Sequence, residues 1–283
     1  MGILKNIQSL LLLRFNLGKT IAFNFKVFPA KVAVRFPVLL FGKIQYEVKR
    51  GCIVIDSKRK TDILRIGASY GYFGTKPHQY TIYNNYGTHM IKGRCDIENG
   101  GIVRIFKDAV FTTGNIVKFG ANARIQCVKS IEINDVVRFS WDCQLFDTDF
   151  HYILKEGGII KKNSASVLIG SNVWVGNHVS ILKSSVIPSY SVISTHSLVN
   201  KPFPKEATAS IIGGVPAKII CKGTRVFIND YSGEGDRRLD RLFRENDLNE
   251  IDITSELAKR YLGDYSYYEQ IQNFIMPIML ETH

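Results

Sequence analysis

From Ile169 to Val199 an apolar residue recurs at every sixth position: Ile169, Val175, Ile181, Ile187, Ile193 and Val199. Four places after each of the first five stands a small or β-branched residue: Val173, Val179, Ser185, Ser191 and Ser197. Neither an α-helix, with its period of about 3.6, nor an alternating strand repeats every six residues. The pattern predicts short flat strands joined by corners, the hexapeptide signature of a parallel β-helix. Three hexads close a triangular coil, so residues eighteen apart are expected to stack and bury their corner residues against the next coil.

The same beat runs upstream with interruptions. Ile105, Phe111 and Val117 keep the six-residue step, and Phe119 and Ile125 resume it after a two-residue offset. Ile133, Phe139 and Leu145 repeat it, with Val137 and Cys143 as inner partners. Between the two runs, Phe146 to Ser166 breaks the period with the polar, glycine-containing stretch Asp147-Thr-Asp-Phe-His151 through Gly157-Gly158. Such an interruption reads as a loop thrown out from one coil, and loops on rigid scaffolds are where chemistry concentrates. The predicted fold is therefore an all-β solenoid, with an N-terminal cap over 1–60, a β-helix over 61–222 carrying a looped-out segment 146–166, and a C-terminal extension over 223–283. In that extension 237–243 and 255–262 have helical spacing.

Charge changes the picture mainly at the N-terminus. The first sixty residues hold twelve Lys or Arg against only Glu47 and Asp56, so most of the formal net charge of +12 lies there. Leu10 to Leu13 and several phenylalanines are interleaved with those cations. The segment reads as a basic, apolar cap, which a solenoid needs and which suits the surface of an anionic membrane. No apolar run approaches the roughly 20 residues of a membrane span, and Arg14 interrupts the nearest candidate. No stretch reads as a signal peptide, and Asn6 stands where a myristoylation site needs Ser or Thr. Charge alone would admit nucleic acid, but no binding motif supports it. The cysteines at 52, 95, 127, 143 and 221 have no paired spacing, and buried thiols in a reducing cytoplasm are the plain expectation. The expected location is cytoplasmic, peripheral at the inner face of the membrane.

The run Val167-Leu-Ile-Gly-Ser-Asn-Val-Trp-Val-Gly-Asn-His-Val-Ser-Ile-Leu-Lys183, followed by Gly213-Gly-Val-Pro-Ala-Lys218, resembles the left-handed β-helix acyltransferases of the hexapeptide-repeat superfamily. With Asp147-Thr-Asp-Phe-His151 ahead of it, the resemblance is closest to bacterial surface-polysaccharide O-acetyltransferases, over about residues 60 to 222. It implies a homotrimer that moves acetyl from acetyl-CoA to a hydroxyl of a saccharide or its lipid-linked precursor. It also implies that His151 is the general base. The chemistry agrees, because an alcohol is a poor nucleophile until its proton is removed and an imidazole with pKa near 6.5 is an available base at neutral pH. None of the five cysteines sits in a recognisable nucleophile motif, and direct transfer needs none.

Asp147 and Asp149 are candidates to orient the imidazole, as a carboxylate does in dyads, or to cap their own turn. Asn122 matches an acceptor-contacting asparagine of the sugar acetyltransferases, and equally suits a corner in the left-handed region. For coenzyme A, the resemblance points to Gly176, Asn177, Thr195, Asn200 and Lys201 along a groove between subunits. Lys218 would meet the nucleotide phosphates, and Trp174 would form an apolar wall or a subunit contact. Where relatives carry glycine, this chain has Lys183-Ser-Ser-Val, Ile187-Pro188 and Ile193-Ser-Thr-His-Ser197. Side chains there change the approach of the donor. His178 and His196, eighteen apart, are expected to stack on an outer face. That invites a zinc reading by analogy with gamma carbonic anhydrases, but their His-x4-His pair is absent, and no metal is expected. Two rival functions stay open: N-acetylation of an amino sugar nucleotide, and a non-enzymatic trimeric scaffold.

Overall fold

The structure, a computed structural model, describes residues 14–69, 80–226, 234–265 and 271. The chain winds through three parallel sheets in turn, forming a left-handed β-helix of triangular section. Face one carries Val117–Phe119 and its stacked equivalents, face two Arg124–Cys127, and face three Ser130–Ile133. The hexad rule holds in the later coils: Trp174 pairs with Val192, Ser180 with Leu198 and Leu168 with Val186, each eighteen residues on. The coil before the hairpin is two residues longer, pairing Val117 with Val137 and Arg124 with Gln144. Unequal coil length is the source of the upstream offsets.

Every apolar residue of the six-residue series from Ile169 to Val199 is buried, but each ends a strand, and after each of the first five the corner itself falls three positions later; the inner Val173, Val179, Ser185, Ser191 and Ser197 are buried too. Phe119 stacks on Phe139 at 4.7 Å between ring centroids, and Phe111 meets Phe119 at 6.2 Å, so an aromatic ladder fills the wider coils. Corners are made by single residues in the left-handed region: Asn172, His178, Ser184, Tyr190 and His196 have φ between 57° and 67°. For residues other than glycine that conformation costs about 1–2 kcal/mol each, and stacking of neighbouring coils overrides it. His178 and His196 stack as expected, with ring centroids 4.6 Å apart and planes at 13°.

The β-helix starts earlier than residue 61. Val38–Leu40, Ile44–Val48 and Ile53–Ile55 form a first coil inside the segment expected to be only a cap, pairing in parallel with Leu64–Ala68, Thr81–Asn85 and Thr88–Ile91. Its 26-residue step from Val38 to Leu64 hides the hexad period. The cap proper is helix α1 (Leu17–Val27), with α2 (Ala30–Ala33) after it. Asn16 caps α1 by accepting from the Lys19 N–H at 3.1 Å. The helix also seals the open edge of the sheet. Asn24 Nδ2 donates to the Val38 carbonyl at 2.7 Å, its Oδ1 accepts from Val38 N–H, and Thr20 Oγ1 accepts from Leu40 N–H. An edge strand left unpaired would be both unsatisfied and adhesive. At the far end Ala217–Lys222 turns back antiparallel on Ser210–Gly214.

The expected C-terminal helices are present as α3 (Glu234–Asn246) and α4 (Glu256–Leu262), the latter capped by Ser255. They bury Leu262, Tyr265 and Ile271 in a small cluster of their own. Leu10 to Leu13 and the first residues of the basic segment lie outside the described residues.

Candidate active site

The looped-out segment leaves face two after Gln144–Phe146 and rejoins face three at Val167–Ile169. It rises as a hairpin. Thr148 and Ser164 form an antiparallel bridge, and Leu154–Lys155 pairs with Ile159–Ile160. His151 is exposed on this segment, on the wall of a cleft of about 680 Å³.

The root of this hairpin is Asp147, which is fully buried. Its carboxylate accepts three backbone N–H bonds from the coil below, those of Val128, Lys129 and Ser130, each at 2.7 Å. Asp147 is therefore an anchor, and its oxygens are not directed to His151, contrary to one of the two expectations for it. Asp149 is placed differently again: its Oδ2 is 2.6 Å from Lys183 Nζ, and its backbone carbonyl accepts from the His151 N–H at 2.7 Å. Among the described residues no hydrogen bond joins the imidazole to either carboxylate. Asp149 fixes the backbone that carries His151, and the reading in which it orients the ring is not what the geometry displays.

The cleft is markedly basic. Lys129, Lys155, Lys161, Lys162 and Lys183 line it, with Asp149 as the one carboxylate among its described lining residues. Lys183 Nζ also donates to the Lys162 carbonyl at 2.9 Å, tying coil to hairpin. These lysines were not singled out by sequence. Lys183 had a signal, standing eighteen residues before Lys201 on the same edge, whereas Lys129 belongs to a longer coil in which the hexad count fails.

The remaining candidates divide between two edges of the prism. Asn200 and Lys201 follow the face-two strand Leu198–Val199 and share the edge between faces two and three with His151. Gly176, Asn177 and Thr195 occupy the edge between faces one and two, with Trp174 on the adjoining strand of face one. Thr195 Oγ1 donates to the Asn177 carbonyl at 2.8 Å and lies 2.9 Å from its Oδ1, a polar ladder along that edge. Gly176 is needed there, since a Cβ would come within 2.8 Å of Thr195 N and 3.0 Å of Ile193 O. Asn122 belongs to this same edge, at φ 61°, and so occupies a corner on a different edge from His151. Trp174 donates to Ser140 Oγ at 3.4 Å and carries the Arg225 guanidinium 4.9 Å from its ring centroid, so it is overlaid by the residue that leads into the C-terminal extension. Lys218 is exposed on the terminal hairpin.

The buried thiols are poor nucleophiles. Burial pushes the Cys143 thiol up to about 11 and raises Cys127 and Cys95 further still. A thiol protonated at neutral pH supplies little thiolate for acyl transfer.

No family model matches the chain. Stretches of it are similar to acetyltransferases: 32% identity over 112 residues to a protein of Mycobacterium tuberculosis named a probable acetyltransferase, covering 38% of this chain and 35% of that one. The galactoside O-acetyltransferase of Escherichia coli is 37% identical over 70 residues, 25% of this chain and 32% of the relative. The chain thus matches about a third of the length of these curated relatives. Among solved structures, that of the polySia-specific acetyltransferase NeuO aligns with 76% of this chain and 89% of its own, at TM-score 0.42 and 20% identity.

Proposed function

From the premise that this chain is a hexapeptide-repeat β-helix related in sequence to acetyltransferases, we propose that it transfers acetyl from acetyl-CoA to a hydroxyl of a cell-surface saccharide or its lipid-linked precursor. The observation that carries the reading is His151, held on a looped-out hairpin over an open cleft of the β-helix. Its imidazole takes the proton of the acceptor hydroxyl as the oxygen attacks the thioester carbonyl. The proton then leaves with the coenzyme A thiol, so no acyl-enzyme forms.

Five lysines around the base favour a ligand bearing phosphate, and both the diphosphate of coenzyme A and that of a lipid-linked sugar satisfy that chemistry. The placement of Asn177 and Thr195 on one edge and His151 on another supports a homotrimer, in which the donor groove of one subunit faces the base of its neighbour. The galactoside relative favours a hydroxyl over an amine as acceptor.

His151→Ala should lower turnover by about two to four orders of magnitude while calorimetric titration with acetyl-CoA still shows saturable binding. Full activity in that variant would overturn the mechanism. No donor binding by the unmodified protein would favour the scaffold reading, in which Ser194-Thr-His-Ser197 closes the groove.

A further inference from the structure

Helix α1 is apolar on both sides. Its inner face buries Phe23 and Val27, yet Leu17, Ile21 and Phe25 on its outer side are 58%, 41% and 48% exposed. Spaced by four, these three form one stripe on an α-helix. Val34, just past α2, is exposed as well. A capping helix that only sealed the solenoid would carry polar residues outward. Exposed cations of the same cap are Lys26, whose ammonium lies 5.8 Å from the Tyr46 ring centroid, and Lys31 and Arg35 in and after α2. Beside them lies an apolar recess of about 310 Å³ floored by Val32, Ile53 and Ile55, with Arg35 and Lys60 in its lining.

We propose that the outward face of α1 docks on an anionic phospholipid surface, with Leu17, Ile21 and Phe25 entering the headgroup boundary and the neighbouring cations meeting lipid phosphates. Charge decides the occupant. The first sixty residues carry twelve cations and two carboxylates, so a second copy apposed through this face would bring like charge against like, whereas an anionic bilayer complements it. No helix among the described residues is long and apolar enough to cross a membrane, and the outward stripe of α1 suits contact in the interfacial plane. Docking through α1 uses none of the residues assigned to acetyl transfer.

The test is sedimentation of the full chain with vesicles of phosphatidylcholine, with and without phosphatidylglycerol. The expected result is pelleting with the anionic vesicles alone, weakened by salt. Ile21→Ser combined with Phe25→Ser should abolish it without changing the thermal melt, and Lys31→Glu or Arg35→Glu should weaken it by about fivefold or more each. Failure of the unmodified protein to pellet with anionic vesicles would overturn the proposal. So would undiminished pelleting of the double serine variant, or a change in its oligomeric mass by light scattering, which would assign the stripe to a contact between copies.

Discussion

His89 lies wholly inside the early coils, with its ring stacked on Phe111 at 4.7 Å. Nδ1 is 2.9 Å from the Tyr83 hydroxyl and Nε2 is 3.2 Å from Thr113 Oγ1. Burial pushes its pKa down to about 3. The folded protein therefore resists protonating His89 while the unfolded chain, with an ordinary value near 6.5, accepts the proton. This contribution to stability is complete above about pH 6.5 and declines by about 1.4 kcal/mol per pH unit below it, until the folded-state pKa is reached. Chemical denaturation at pH 7 and pH 5 should show that loss in the natural protein, and His89→Gln should flatten it.

Among elements, the hairpin 147–166 depends most on one contact. Three backbone N–H groups of the coil below converge on Asp147, and Asp147→Ala would leave all three without their protein partner in a partly buried corner. Such groups cost about 1–3 kcal/mol apiece when orphaned. The expected outcome is a lowered melting temperature together with impaired turnover, and Asp147→Asn should recover part of both. His151→Ala, at an exposed position of the same element, should leave the melt unchanged. Asp147 was legible as part of a loop motif, but its partners were not, because they precede it by seventeen to nineteen residues in a coil whose length departs from three hexads.

For the whole molecule, Gly176, Asn177 and Thr195 lie on a different edge of the prism from His151 while Asn200 and Lys201 share its edge, and the proposed homotrimer would complete the site from two chains. Mixing His151→Ala with Thr195→Tyr, each inactive alone, should restore activity at roughly a quarter of the subunit interfaces if assembly is random and cyclic. An assay of co-refolded chains checks this, and a mixture that stays inactive would place the whole site within one subunit.

The sequence by itself determined the solenoid from Ile169 to Val199, its buried apolar series and inner residues, the looped-out segment and the C-terminal helices, though not which residues turn the corners. Each of these rests on a local period or an interruption of one, and neighbouring coils reuse the same register. The tertiary structure decided that the first coil begins at Val38, that Asp147 anchors the hairpin while Asp149 pairs with Lys183, and that lysines from separate coils gather about His151. It also decided which edge each candidate occupies. These are contacts between coils of unequal length, and a one-dimensional pattern carries them only where the length of a coil is constant.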